Sequence, residues 1–108
     1  MASGILGKAD LSSGTLTTLY TVPAETFTVA SVSIVNRGNV AVGIRIAVAE
    51  ADTPTDAEWI EYDTTLDPKA ILERTGIVLD ASKKIVVYST AVNVNAVAFG
   101  IETVAPSA

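Results

Sequence analysis

Apolar and polar residues alternate along most of this chain, and the alternation changes phase at a few sharp breaks. From residue 40 to 49, Val40, Val42, Ile44, Ile46 and Val48 alternate with Ala41, Gly43, Arg45, Ala47 and Ala49. A period of two marks a strand with one buried face, because successive side chains of extended backbone point to opposite sides. Residues 15–22 repeat the pattern, with Leu16, Thr18, Tyr20 and Val22 set against a second row that includes Thr15, Thr17 and Thr21. Val22-Pro23-Ala24-Glu25 ends that run, since proline fixes φ and removes a donor. Asn36-Arg37-Gly38-Asn39 ends the next, with residue types that tolerate the positive φ of a tight hairpin. Residues 19–49 therefore predict three strands joined by two turns.

The middle strand carries two apolar sets. Phe27 and Val29 occupy odd positions, whereas Ala30, Val32 and Ile34 occupy even ones. One face cannot bury both unless an extra residue shifts the register. The pattern predicts a β-bulge near Val29-Ala30, or else a strand partly covered on both sides.

Elsewhere the reading is a short strand at 5–9, a turn at 11–14, and a loop at 50–56 leading to a short strand at 58–62. A single helical turn capped by Thr55 is the alternative there. Asp67-Pro68-Lys69 marks a turn, residues 70–79 a strand, and residues 80–83 a hairpin connection, with strands at 84–90 and 92–104. Seven or eight short strands at roughly ten-residue spacing, with no helical period, predict an all-β fold: a single antiparallel β-sandwich, jelly-roll-like or immunoglobulin-like. The expected division is an N-terminal arm (1–14), the sandwich domain (15–104) and a short tail (105–108).

Composition narrows the chemistry. A formal charge of −5, with only seven Lys and Arg in 108 residues, argues against nucleic-acid binding, which needs clustered cations. No run approaches the ~18 apolar residues of a membrane span, and the first residues lack the pattern of a secretory leader. A protein made in the cytoplasm and soluble is expected. Without cysteine or histidine, Ser–His, Cys–His and thiolate or imidazole metal sites are excluded.

Carboxylates remain. Residues 50–67 hold seven of the twelve acidic residues, no basic one, and the single tryptophan. Asp52 with Asp56, Glu58 with Glu61, and Glu61 with Asp63 are possible acid–base pairs, but no spacing singles one out as a glycosidase pair. Asp52, Asp56 and Asp63 could offer oxygens to Ca²⁺, without the spacing of an EF-hand. A solvated acidic loop, no cofactor and no enzymatic activity are the expectation. Gly7, Gly14, Gly38 and Gly76 read as turn or bulge residues, not as a phosphate loop. Trp59 and Tyr62 read as core, as a sugar-stacking platform or as an interface anchor, the anchor being preferred to the platform.

An acidic all-strand chain without reactive groups invests its free energy in surfaces. The threonine row and the small residues Ala41, Gly43, Ala47 and Ala49 suit flat packing between chains or sheets. A second apolar set on one strand is hard to satisfy in a monomer of this size, which predicts a homo-oligomer.

Four stretches, taken together, carry a resemblance: SSGTLTTLYTVPAETFTVASVSIVNRG, GIRIAVA, EWIEYDTTLDPKAILERTGIVLDASKKIVVYST and VNVNAVAFGIE. Across residues 14–102 the chain resembles small β-sandwich virion structural proteins of tailed bacteriophages, including cyanophages. Thr-Val-Pro after a Thr-rich strand, and Glu73 to Leu79 before a Lys-containing turn, are its most telling parts. The resemblance implies a place on the particle exterior, as a capsid decoration (cement) protein or as a tail, collar or baseplate accessory. It carries no set of functional residues with it. The expected cement protein is a homotrimer whose partners are itself and the major capsid protein or another virion protein. Its contacts are expected in the arm (Ile5, Leu6, Lys8), the turn (Asn36, Arg37, Asn39) and Trp59 and Tyr62, with the acidic loop outward. A carbohydrate-binding adhesin using Trp59 and Tyr62 is the rival from a different class.

Overall fold

A computed structural model describes residues 3–104; the tail expected at 105–108 lies outside the described residues. Eight strands run in order: β1 (Ser3–Leu11), β2 (Thr17–Thr21), β3 (Thr26–Asn36), β4 (Val42–Ala49), β5 (Trp59–Leu66), β6 (Ile71–Leu79), β7 (Lys84–Ser89) and β8 (Val94–Val104). They form two four-stranded antiparallel sheets, sheet A in the order β1-β8-β3-β6 and sheet B in the order β2-β7-β4-β5. The neighbours include β1 with β8, β2 with β7, β3 with β6 and β4 with β5. Those four pairs are the rungs of one long hairpin folded at β4–β5 and wrapped into two layers. This β-sandwich is a jelly roll; the immunoglobulin arrangement groups its strands differently.

The wrapping corrects two local expectations. β3 and β4 lie in different sheets, as do β6 and β7, so residues 36–39 and 80–83 are crossings between layers and not hairpins. Asn36, Arg37 and Asn39 are absent from the residues with positive φ. Asn36 is fully buried and works as a brace. Its amide nitrogen donates to the carbonyls of Val40 (2.8 Å), Leu66 (3.1 Å) and Asp67 (3.2 Å), and its oxygen accepts from the Gly38 N–H (2.9 Å). One side chain thereby satisfies backbone of the β3–β4 crossing and of the end of β5, where the chain leaves sheet B for sheet A, a demand that grows where polar backbone leaves a sheet inside the protein.

The expected arm is also drawn into the fold. Ser3–Leu11 pairs along β8, from Ser3 opposite Ile101 to Leu11 opposite Val94, with one irregularity between Ile5 and Gly7. Its apolar content explains this: Leu11 is buried, and Leu6 and Ala9 pack against the core.

The core lies between the sheets. Ala30, Val32 and Ile34 of β3 and Ala96 and Ala98 of β8 face Ile44 and Ile46 of β4 and Ile85 and Val87 of β7. In β3 the even positions from Thr26 to Asn36 are buried without interruption, and β3 pairs with β8 in constant register. The expected bulge at Val29-Ala30 is therefore not in this strand. It lies across the ladder, where Ala30 faces Ile77 but Val32 faces Arg74. The extra residue belongs to β6, at a Gly76 with φ of +68°. Glycine adopts that backbone without the Cβ penalty other residues incur.

With the even positions inward, Thr28 is buried and Phe27 and Val29 point out. The buried polar groups are paired: the Tyr20 hydroxyl donates to the Glu102 carboxylate and meets Thr28 Oγ1 at 2.9 Å. Burial, and then the adjacent carboxylate, push the Tyr20 pKa up to about 12.

Candidate functional site

Two surfaces gather the residues of interest, one on the outer face of each sheet. On sheet A, the outward positions are fixed by register. Ile5 of β1 lies opposite Phe99 of β8, Ile101 opposite Val29 of β3, and Val29 opposite Val78 of β6. Phe27 stands two residues along the same side of β3. These six side chains expose between 36% (Phe27) and 67% (Ile5 and Val78) of their surface. They form one apolar patch across all four strands, and none of them is charged. Their combined exposed surface is on the order of 500–600 Å², the top of what monomers usually leave uncovered.

Only Ile5 of the expected contact residues belongs to this patch. Leu6 is half-buried against the core. Lys8 sits further along the face, where it lines a shallow groove of about 420 Å³ with Asp10, Asn95 and Val97. Asn36 is fully buried and cannot touch a partner, because its polar atoms are consumed by backbone. Arg37 and Asn39 are exposed, and Arg37 pairs with Asp10 at 2.6 Å, tying the β3–β4 crossing to β1. Phe27, Val29, Val78, Phe99 and Ile101 were not among the expected contacts. Their signal was the doubled apolar phase in residues 27–34, repeated where Phe99 and Ile101 follow Val94, Ala96 and Ala98.

The outer face of sheet B is built differently. Residues 50–58 return toward it. Asp52 Oδ1 accepts from Thr18 Oγ1 at 2.6 Å and lies 3.7 Å from Lys84 Nζ, and Glu50 lies 3.8 Å from Lys83 Nζ. Asp56–Glu58 form a single 3-10 turn after Thr55, leading directly into β5, so the helical turn and the short strand both exist. The Glu58 carboxylate accepts from the Thr55 and Glu50 N–H groups at 2.8 and 3.1 Å. The Thr18 hydroxyl and then Lys84 hold Asp52 below the usual carboxylate range, and the Thr55 N–H does the same for Glu58. The acidic segment is a solvent-exposed loop, as expected, and is in addition tethered to sheet B. Ala47, Ala49 and Val86 are fully buried with Trp59 packed on them, so two of the four small residues that suggested packing between chains or sheets are covered within the chain, while Ala41 is exposed and Gly43 half-buried.

Trp59 and Tyr62 meet edge to face, with ring centroids 5.5 Å apart at 69°. The Arg45 guanidinium stands 4.2 Å from the Tyr62 ring centre, 4.9 Å from Tyr88 and 5.9 Å from Trp59. Asp63 binds Arg45 Nε at 2.6 Å and raises its pKa. Asp56, Trp59 and Tyr62 line a depression of about 350 Å³.

The carboxylates weighed as acid–base pairs or cation ligands have separate engagements. Glu61 binds Arg74 (3.0 Å) and Thr64 (2.7 Å), Asp63 binds Arg45, Glu58 caps its own turn, and Asp52 reaches Thr18. Among the described residues no three acidic groups converge on a point that would hold a cation. Comparison with known protein families, with curated proteins and with solved structures finds no match to this chain.

Proposed function

We propose that the protein is a non-enzymatic structural component of a tailed-phage virion. In this reading it is a cement protein that sits on the capsid exterior as a homo-oligomer and stabilises the shell by bridging its subunits. The observation that carries the reading is the uncharged apolar patch on the outer face of sheet A. A chain of net charge −5 repels its own copies at most orientations. The patch is where that repulsion is weakest and where burial returns most. At about 25 cal/mol per Å², covering it is worth on the order of 10 kcal/mol per copy before ordering costs. Three copies that turn this face to a common axis shield it, and each then presents its sheet B outward. A trimer also multiplies weak contacts to a shell through effective concentration. Jelly rolls are among the architectures of viral shells, and the sequence resemblance points the same way.

Light scattering of the purified chain should give about three times its 11.2 kDa mass. Added to undecorated phage shells, it should bind in hundreds of copies and raise the shell melting temperature. A stable monomer that ignores shells overturns the proposal, and a few dozen copies per particle would favour the tail or collar.

A further inference from the structure

The depression on sheet B has a composition that the assembly role does not use. Its walls are Trp59 and Tyr62, set at 69° with centroids 5.5 Å apart, and its third side is Asp56. Asp56 is exposed and forms none of the hydrogen bonds or ion pairs that occupy its acidic neighbours. We infer that the Asp56–Trp59–Tyr62 depression is a binding site for a single uncharged hexopyranose, such as the terminal sugar of a glycan.

Three features select this ligand class. A corner of two rings provides one wall to stack on and no parallel pair to sandwich a flat aromatic ligand. A pyranose matches that shape, with a C–H face for an aromatic ring and hydroxyls around its edge. The free Asp56 carboxylate is an acceptor only, so it takes hydroxyl donors and repels anions. Cationic ligands are disfavoured because the Arg45 guanidinium already stands 4.2 Å from the Tyr62 ring centre. The volume, about 350 Å³, lies at the small end of ligand sites, which run from about 300 Å³. It accommodates one ring, not a chain. Sheets A and B are opposite layers, so the site stays open when the sheet A patch is covered.

Trp59 is the only tryptophan, which makes the test direct. The full chain is titrated with galactose, glucose, mannose, N-acetylglucosamine and N-acetylneuraminic acid up to about 50 mM, the range a shallow site requires. Trp59 fluorescence and saturation-transfer NMR are read in parallel. At least one neutral sugar should give a saturating response in both, and N-acetylneuraminic acid none. Asp56→Asn should weaken binding about tenfold, the scale of a hydrogen bond to a charged group, and Tyr62→Ala several-fold. Both positions are exposed, and circular dichroism with thermal melting checks that both variants fold. No saturating response to any neutral sugar, equal binding of the anionic sugar, or binding unchanged in both variants would each overturn the inference.

Discussion

Gly7 shows how narrowly single residues are constrained where β1 closes on β2. A Cβ built there would stand 2.1 Å from the Leu19 carbonyl oxygen. Backbone cannot move aside as a flexible side chain can, so Gly7→Ala should cost about 1–3 kcal/mol or more by overpacking. Urea titration followed by circular dichroism checks this; Ser3→Ala, at an exposed position of the same strand, should cost almost nothing. Tyr20 is constrained by its proton. Its pKa rises from 10.0 to about 12 on folding, through burial and then Glu102. The folded value exceeds the unfolded one, so this contribution is complete below pH 10 and is lost as pH rises through 12. It amounts to on the order of 2 kcal/mol. Stability measured from pH 8 to 12 should fall across that window in the native chain. Tyr20→Phe should be less stable at pH 8 and show a flatter alkaline limb.

Among the elements, the segment before β5 depends on carboxylates in the opposite sense. Asp52 and Glu58 have folded pKa values below their ordinary ones of 3.8 and 4.5. Their contribution is present above those ordinary values and is lost as pH falls through the lower, folded ones. Acidification from pH 6 to 2 should therefore detach residues 50–58 before the sheets melt. Trp59 fluorescence should change ahead of the far-ultraviolet signal, and Asp52→Asn should bring that first transition to higher pH or remove it. Strand existence and type were legible in the sequence throughout, because a period of two survives wherever one face is buried. What stayed hidden was which apolar phase of β3 faces the core. Thr28 looks like an outward residue, yet its hydroxyl is satisfied inside by Tyr20, whose own partner Glu102 lies 82 positions away. No local pattern reports such a partner. The two crossings read as hairpins for a similar reason. Turn residues announce that the chain bends, and not which layer it enters. The sheet A patch was half-legible, as a surplus of apolar positions without an address.

At the scale of the whole molecule, the two outer faces divide the work: apolar on sheet A, and charged and aromatic on sheet B. Ile101→Lys with Val29→Glu places two opposite charges in the middle of the patch, 59% and 45% exposed in the single chain. The double variant should keep its fold and melting behaviour as a monomer, since neither side chain enters the core. On the proposed cement reading, light scattering should show the oligomer lost, and binding to undecorated shells should drop at least tenfold. A variant that remains assembled places the contact elsewhere.

Sheet order also dictates when this protein becomes a protein at all. β8 sits between β1 and β3, so the first of the eight described strands has no ladder partner until the eighth has been made. β3 and β6 can pair as they emerge, but sheet A cannot close onto β1 before β8 is in place. Each nascent chain must carry β1 with an unpaired edge until β8 has emerged, which leaves it open to neighbouring nascent chains and favours slow folding through non-local pairing.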